Sequence, residues 1–211
     1  MVDATLSEEE QVEALKKWWK ENGRSVVGGL VLGLGAVFGW RYWVDYQSGV
    51  AQQASVQLVE LNQLVATGKG DLARAQAKRI IEKFQGSTYA VFAALHLAKL
   101  MQESGDSEGA VAQLKWSLDN SSESSLQQIV RARLARILVS TGQLDEAEKV
   151  VASAVNDSFR GEFAELRGDI ARARDDTAAA RAAYREALDN QVSNPSQVKR
   201  KLDDLAPADN G

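Results

Sequence analysis

The sequence predicts an all-α protein in which a single N-terminal transmembrane helix is followed by a solenoid of helical repeats. Alanine, leucine, glutamine, glutamate and arginine are abundant, and the 211 residues include only two prolines, a composition that favours helices over sheets. The segment 25–43 is apolar enough to enter a bilayer. After it, small residues recur at nearly the spacing of stacked helix pairs.

These observations divide the chain into four predicted parts. Residues 1–24 form a cytoplasmic leader with a short amphipathic helix, and residues 25–43 form the transmembrane anchor. Residues 44–205 form a periplasmic repeat domain, long enough for one real core. Residues 206–211 form a frayed tail.

The leader carries its own helix signals. Ser7 and Glu10 have the S-x-x-E spacing of a capping box, and Asn22-Gly23 predicts a helix end. Apolar residues recur between them at helical spacing, which predicts an amphipathic helix on the cytoplasmic membrane surface; a solvated tail is the alternative. Those apolar residues are Val12, Leu15 and Trp19.

The anchor, SVVGGLVLGLGAVFGWRYW, is bounded by aromatic residues on both sides. Amphipathic rings prefer the headgroup level, so both clusters predict interfacial anchors. From Trp19 to Trp40 a helix would span about 32 Å, close to the thickness of a bilayer core. A buried helix of a soluble domain is the alternative. The predicted interfacial anchors are Trp18, Trp19, Trp40 and Trp43.

The basic residues around the anchor predict its orientation. Four of them precede it, whereas Arg41, near its far end, is the only basic residue from there to Lys69. Lysine and arginine resist translocation, so the N-terminus is predicted to stay in the cytoplasm and the repeat domain to lie in the periplasm. A signal peptide cleaved before Ala36 is the alternative. The preceding basic residues are Lys16, Lys17, Lys20 and Arg24.

Glycines in the anchor have small-xxx-small spacing. Gly29 precedes Gly33 by four residues, and Gly35 precedes Gly39 by four. Two backbones can approach closely at such positions, which predicts docking against another transmembrane helix. The alternative is composition alone, because glycine is common in membrane helices.

Small residues recur in the domain that follows. Gly105 precedes Ala110 by five residues, and the same offset recurs twice more, with Asp175 replacing glycine in the last copy. Another small residue lies seven positions before each turn. Small residues allow two helices to cross closely, while larger apolar residues fill the space between repeats. The signature positions are Ala98, Gly105, Ala110, Ala135, Gly142, Ala147, Gly168, Ala180 and Tyr184.

This pattern resembles the tetratricopeptide (TPR) repeat, although the first spacing is 37 residues and the signature tryptophans and prolines are missing. An earlier pair over 51–84 is degenerate. A long helix is predicted from the anchor toward Ala66, and Ser87 is predicted to cap a helix ending near Ser104. The remaining predicted helices are 72–84, 107–120, 124–141, 144–156, 161–174, 177–190 and 195–205.

Catalytic chemistry finds little support in the sequence. His96 is the only histidine and there is no cysteine, so no metal site, cofactor, catalytic group or small-molecule ligand is predicted. A net charge of −4 does not favour nucleic acid. Arginines on several helices are interpreted either as an ion-paired surface or as a groove for acidic partners. They are Arg131, Arg133, Arg136, Arg167, Arg172, Arg174, Arg181 and Arg185.

The acidic leader, the block VEALKKWWKENGRSVVGGLVLGLGAVFGWRYW and the TPR-like repeats together resemble the YfgM family of bacterial inner-membrane proteins. The resemblance implies an ancillary subunit of the SecYEG translocon. It also implies a membrane-anchored periplasmic chaperone of the prolyl-isomerase type as partner, and transfer of exported polypeptides to periplasmic chaperones.

The leading hypothesis is therefore a non-enzymatic interaction scaffold held in membrane lipid. The alternative is a membrane-tethered regulatory adaptor whose leader, from Glu8 to Lys20, binds a cytosolic protein. An enzyme depending on His96 is a third hypothesis with little support.

Overall fold

The computed structural model describes residues 8–154 and 157–205, in which the regular secondary structure is helical. The helices are α1 (Glu8–Ala66), α2 (Gly70–Lys83), α3 (Thr88–Glu103), α4 (Ser107–Asp119), α5 (Ser124–Ser140), α6 (Leu144–Ala152), α7 (Arg160–Ala173), α8 (Thr177–Asp189) and α9 (Pro195–Asp203). A 3₁₀ turn, Asp157–Phe159, precedes α7. This all-helical architecture confirms the predicted fold class.

The leader and the anchor belong to one helix. α1 has 59 residues and passes through Asn22 and Gly23, so the predicted helix end at that dipeptide is wrong. The Asn22 side chain donates to the Trp18 carbonyl at 3.1 Å instead of ending the helix. A glycine inside a helix costs only about 1 kcal/mol, which its helical neighbours outweigh. Ser7 lies outside the described residues, and so does its predicted capping bond.

The chain divides into two compact units between Gln52 and Gln53. The first unit contains the anchor within α1. The second unit contains the end of α1, with Ala54 and Leu61 buried, and helices α2–α9. Consecutive helices of this second unit pack against one another: α3 on α4, α5 on α6 and α7 on α8. This is the arrangement expected of stacked helix pairs.

Local chemistry explains the turns within the pairs. Gly105 and Gly142 have φ angles of 87° and 75°, a region that costs glycine little. Asp175 takes the equivalent place with φ 62°, which aspartate tolerates better than most residues. The next residue caps the following helix in two pairs: Asp106 accepts from the Gly109 amide, and Asp176 accepts from the Ala179 amide.

In the repeat domain, helix ends agree with the predicted ones within two residues except at α6. α6 ends at Ala152, four residues before the predicted end at 156. The sequence there, Ser153-Ala154-Val155-Asn156-Asp157-Ser158, is rich in side chains that compete with helical backbone bonds. Residues 155 and 156 lie outside the described part. α9 begins at the predicted Pro195 and ends at Asp203.

The core of the second unit includes two hydrophobic clusters that join α3 to α9. The larger one joins α3, α4, α5, α6 and α7, and contains the buried side chains of Leu114, Leu134 and Phe163. The smaller one joins α7, α8 and α9 around Tyr184 and Val198. α9 therefore covers the apolar end of the last pair, as a capping helix of a solenoid does.

Candidate functional site

The anchor presents an exposed apolar surface in the described part of its unit. Within residues 8–154 and 157–205, α1 is the one helix long and apolar enough to cross a membrane. Large apolar side chains along it, such as Leu32 and Phe38, are largely exposed. A continuous run of exposed apolar side chains is unfavourable in water and favourable in lipid.

The four predicted docking glycines share this exposure. A Cβ atom added at Gly29, Gly33, Gly35 or Gly39 would meet no atom within 4 Å. The segment therefore offers shallow, unfilled positions at which a second helix can approach. Their role in docking stays a prediction.

The four predicted interfacial tryptophans are all exposed. Trp40 and Trp43 lie side by side with ring centroids 5.6 Å apart. Trp19 covers Gly23: an added Cβ on that glycine would lie 3.2 Å from Cε2 of the indole. Contact with the headgroup layer stays a prediction for Trp18, Trp19, Trp40 and Trp43.

In the second unit, the structure places the signature alanines in the core. Each of the five is at most 2% exposed, and the positions are Ala98, Ala110, Ala135, Ala147 and Ala180. A Cβ on Gly168 would overlap the ring of Tyr184, which is itself fully buried. α7 and α8 therefore cross so closely that α7 has room only for glycine at position 168, opposite the Tyr184 ring of α8.

A groove of about 580 Å³ lies over α7, between α6 and α8. Its floor contains Val151 and Ile170, which are nearly buried. Small side chains line most of its apolar wall, and charged side chains line its rim. The alanines are Ala152, Ala171, Ala179, Ala182 and Ala183; the charged residues are Glu148, Arg167, Arg174, Asp176 and Glu186.

The preceding helix pair shows why this groove is open. Counting back by the repeat spacings, Lys115 of α4 holds the place of Ala152, and Glu146 of α6 holds the place of Ala179. Lys115 and Glu146 form an ion pair that bridges α4 and α6. Two alanines stand at the same positions between α6 and α8, so no side-chain bridge forms there. One interpretation of the arginines placed Arg167 and Arg174 at a groove for acidic partners, but the alanine wall was missed, although the substitution of an ion pair by two alanines was a readable signal.

Ion pairs connect the rim of the groove. Arg174 of α7 donates to Asp145 at 2.7 Å and to Glu148 at 2.9 Å, both on α6. Arg167 lies 2.9 Å from Glu186 of α8, and the hydrogen bond from this arginine lowers the pKa of the Glu186 carboxyl. The rim is therefore built from paired charges that hold α6, α7 and α8 in place.

Two of the other predicted arginines also bind within the chain. Arg136 donates to Glu162 at 2.9 Å, and Arg181 donates to the Leu205 carbonyl at 2.6 Å. Burial tends to raise the pKa of Glu162, but the Ser193 amide and Arg136 outweigh it and lower that pKa. These contacts fit the interpretation of an ion-paired surface better than that of a free acidic-partner groove.

A charged cluster fastens the capping helix α9. The Lys201 ammonium donates to Glu165 at 2.7 Å and to both oxygens of Asp169 at 2.7 and 2.8 Å. The Tyr184 hydroxyl donates to Asp169 at 2.9 Å. Burial first, and the Asp169 carboxylate second, raise the pKa of Tyr184. Glu165 is only 5% exposed, and it lies near two cations, Lys201 and, at 3.8 Å, Arg136.

His96 has no partner suited to catalysis in the described part of the chain. Burial on α3, together with Arg133 and Lys99, lowers its pKa and favours the neutral ring. Within residues 8–154 and 157–205, no group of three or more potential metal ligands comes together.

Comparison with known proteins agrees with this architecture. Residues 16–207 match a family described as a tetratricopeptide repeat-like domain. Two curated relatives are each named ancillary SecYEG translocon subunit. The Haemophilus influenzae protein is 34% identical over 95% of this chain and 98% of its own length, and the Escherichia coli protein is 33% identical over 89% and 90%.

Solved structures with low sequence identity share the fold. PilF of Pseudomonas aeruginosa superposes with a TM-score of 0.61 at 18% identity, over 74% of this chain and 69% of that chain. MamA of Desulfovibrio magneticus superposes with a TM-score of 0.55 at 12% identity, over 75% and 97%.

Proposed function

This chain belongs to the YfgM family of tetratricopeptide repeat-like proteins, and on that premise we propose that it is a non-enzymatic scaffold of the bacterial inner membrane. The curated relatives are named ancillary SecYEG translocon subunits. We infer that this chain is likewise an ancillary subunit, that α1 spans the membrane once with its N-terminus cytoplasmic, and that the repeat domain lies in the periplasm.

The observation that carries the proposal is the combination of two unfilled surfaces on one chain. The anchor has exposed apolar residues and four glycines at which an added Cβ would meet no described atom within 4 Å. The repeat domain has an alanine-walled groove where the preceding pair has an ion pair. A protein that joins a membrane-embedded complex to a periplasmic partner needs one surface in each compartment.

The groove gives the periplasmic contact a specific place. Its floor is apolar, and its rim carries paired charges of both signs, so an apolar side chain flanked by polar groups fits it. We assign this groove to a segment of a membrane-anchored periplasmic chaperone of the prolyl-isomerase type. Through that contact the scaffold holds the chaperone where translocated polypeptides emerge, so that they pass directly to it.

The test is co-purification of the full chain from membranes in a mild detergent, with partners quantified by mass spectrometry. The variant Ala152→Lys/Ala179→Glu recreates the ion pair of the preceding repeat and closes the groove. We expect chaperone recovery to fall about tenfold, corresponding to about 1.4 kcal/mol, while translocon recovery is unchanged. Conversely, Gly33→Leu is expected to lower translocon recovery.

The matched control is Ala173→Lys/Ala178→Glu, which adds the same two side chains at exposed positions that do not line the groove. It should leave both recoveries unchanged. Full chaperone recovery by the groove-closing variant would remove the groove from the proposal. Recovery of neither partner by the unaltered chain would overturn the scaffold itself.

A further inference from the structure

The basic residues that precede the anchor form one stripe on α1. Lys16, Lys20 and Arg24 recur at every fourth residue, and Lys17 lies about 100° from Lys16 around the helix. The four side chains therefore occupy less than about one third of the helix circumference. All four are exposed. Orientation of the anchor requires basic residues in this region, but it does not require them on one face.

No acidic group neutralises this stripe in the described part of the chain. None of the ion pairs found there involves Lys16, Lys17, Lys20 or Arg24. This contrasts with the repeat domain, where Arg136, Arg174 and Lys201 each bind carboxylates. Among the acids with described side chains, Glu13 lies on the same face one turn before Lys16 and Lys17 and lines a depression with them, and Glu21 lies at the edge of the stripe. The stripe keeps a net positive charge.

A shallow depression at the membrane end of the stripe combines charge with apolar surface. It is lined by Trp19, Lys20, Gly23, Arg24, Val27 and Gly28. The Trp19 indole lies against Gly23, where an added Cβ would be 3.2 Å from the ring and would displace it slightly. Lys20 and Arg24 line the same depression, and Val27 leads toward the apolar segment. A headgroup phosphate and the start of an acyl chain fit this order of groups.

The spacing along the axis agrees with a headgroup layer about 6 Å thick. Arg24 directly precedes the apolar segment, and Lys20 lies about 6 Å farther out. Lys16 and Lys17 lie about 10 to 12 Å from Arg24 along the axis, outside that layer but where the potential of an anionic surface still reaches them.

We propose that this stripe is a binding surface for anionic phospholipids of the cytoplasmic leaflet, with Lys20 and Arg24 as the primary headgroup contacts. The proposal rests on the membrane insertion proposed above and adds the class of lipid. Charge complementarity selects the occupant: two cations at headgroup depth and two just outside it, without an ion pair in the described part of the chain, attract an anionic lipid in preference to a zwitterionic one.

The test uses the full chain with Trp19 as its single tryptophan, the others being replaced by phenylalanine. The chain is reconstituted in vesicles of zwitterionic and anionic phospholipid at a fixed ratio, and the acyl chains of one lipid class at a time carry bromine, a quencher of indole fluorescence. We expect stronger quenching when the anionic lipid is brominated, and a smaller difference at high salt. Lys20→Gln/Arg24→Gln should lower the preference by up to about fivefold for each charge.

A matched control keeps Trp43 as the single tryptophan at the other end of the anchor, where equal quenching by the two lipids is expected. Equal quenching at Trp19 would overturn the lipid proposal while leaving membrane insertion intact, and would leave the stripe for an acidic protein. A preference that survives Lys20→Gln/Arg24→Gln would remove those two residues from it. Quenching by neither lipid would overturn membrane insertion itself.

Discussion

Glycine is frequent in both the anchor and the repeat domain, but its surroundings differ between the two regions. A Cβ on Gly161 would lie 2.6 Å from the Asn190 carbonyl oxygen, and one on Gly168 would overlap the Tyr184 ring. In the anchor, the same addition at Gly33 or Gly35 meets nothing within 4 Å. The chain's own packing therefore explains the two glycines on α7, whereas it does not explain those of the anchor.

Charged residues show the same contrast. Lys201 and Arg174 are satisfied by carboxylates from other helices, whereas Lys20 and Arg24 in the leader are exposed and make no ion pair within the described residues. A group whose partner lies within the chain contributes to folding. A group without one is available to a membrane or to another protein. Each prediction below tests this division.

The largest effect is expected from Gly168→Leu. The added side chain overlaps a fully buried ring, so α7 and α8 must separate, and we expect the free energy of unfolding to fall by about 3 kcal/mol or more. Urea unfolding of the full chain in detergent, followed by circular dichroism, measures the loss. Gly33→Leu is the matched control and should leave stability unchanged. A loss below about 1 kcal/mol at Gly168 would break the comparison.

A smaller loss is expected from Lys201→Met. The substitution keeps the aliphatic length but leaves Glu165 and Asp169 without their shared cation, and these carboxylates are 5% and about 20% exposed. We expect a loss of about 2 kcal/mol, below the range for a fully buried pair. Lys20→Met in the leader is the control, and the same unfolding measurement applies. Equal stability of the two variants would show that the internal cluster contributes nothing.

The smallest effect concerns pH. The pKa of His96 in the folded chain is below its unfolded value of about 6.5, because burial and nearby cations disfavour the charged ring. Stability from this group is therefore full above about pH 6.5 and is lost as the pH falls through the folded pKa. Solvent screening keeps the loss below about 1 kcal/mol. His96→Gln should flatten the unfolding free energy between pH 7 and pH 5; an unchanged slope would contradict this assignment.

The predicted elements were accurate where the signal is local. The ends of α1 at Ala66 and of the helix before Gly105, the Ser87 cap and the Asp175 turn all depend on residues within one or two turns of each other. Ser87 does cap α3, by accepting from the Ala90 amide at 3.2 Å. The errors were also local: helix context overrode the stop at Asn22-Gly23, and α6 ended before its predicted limit.

The groove and the Lys201 cluster could not be obtained in the same way. Arg174 meets Asp145 across 29 residues of sequence, and Lys201 meets Glu165 across 36. Such pairs depend on how successive helix pairs stack. No local pattern distinguishes an arginine that will be paired from one that will be free, which is why both interpretations of the arginines stayed open.

By itself, the sequence determined the anchor and the repeat plan, because length, hydropathy and helical periodicity are properties of short stretches of chain. Only the tertiary structure decided at which glycines another side chain of the chain occupies the space of a Cβ, and which charged side chains form ion pairs within the chain. Those outcomes depend on side chains that folding brings together from distant positions. Gly33 and Gly168 are both glycines inside α-helices. Only at Gly168 does another side chain, that of Tyr184, occupy the space of an added Cβ.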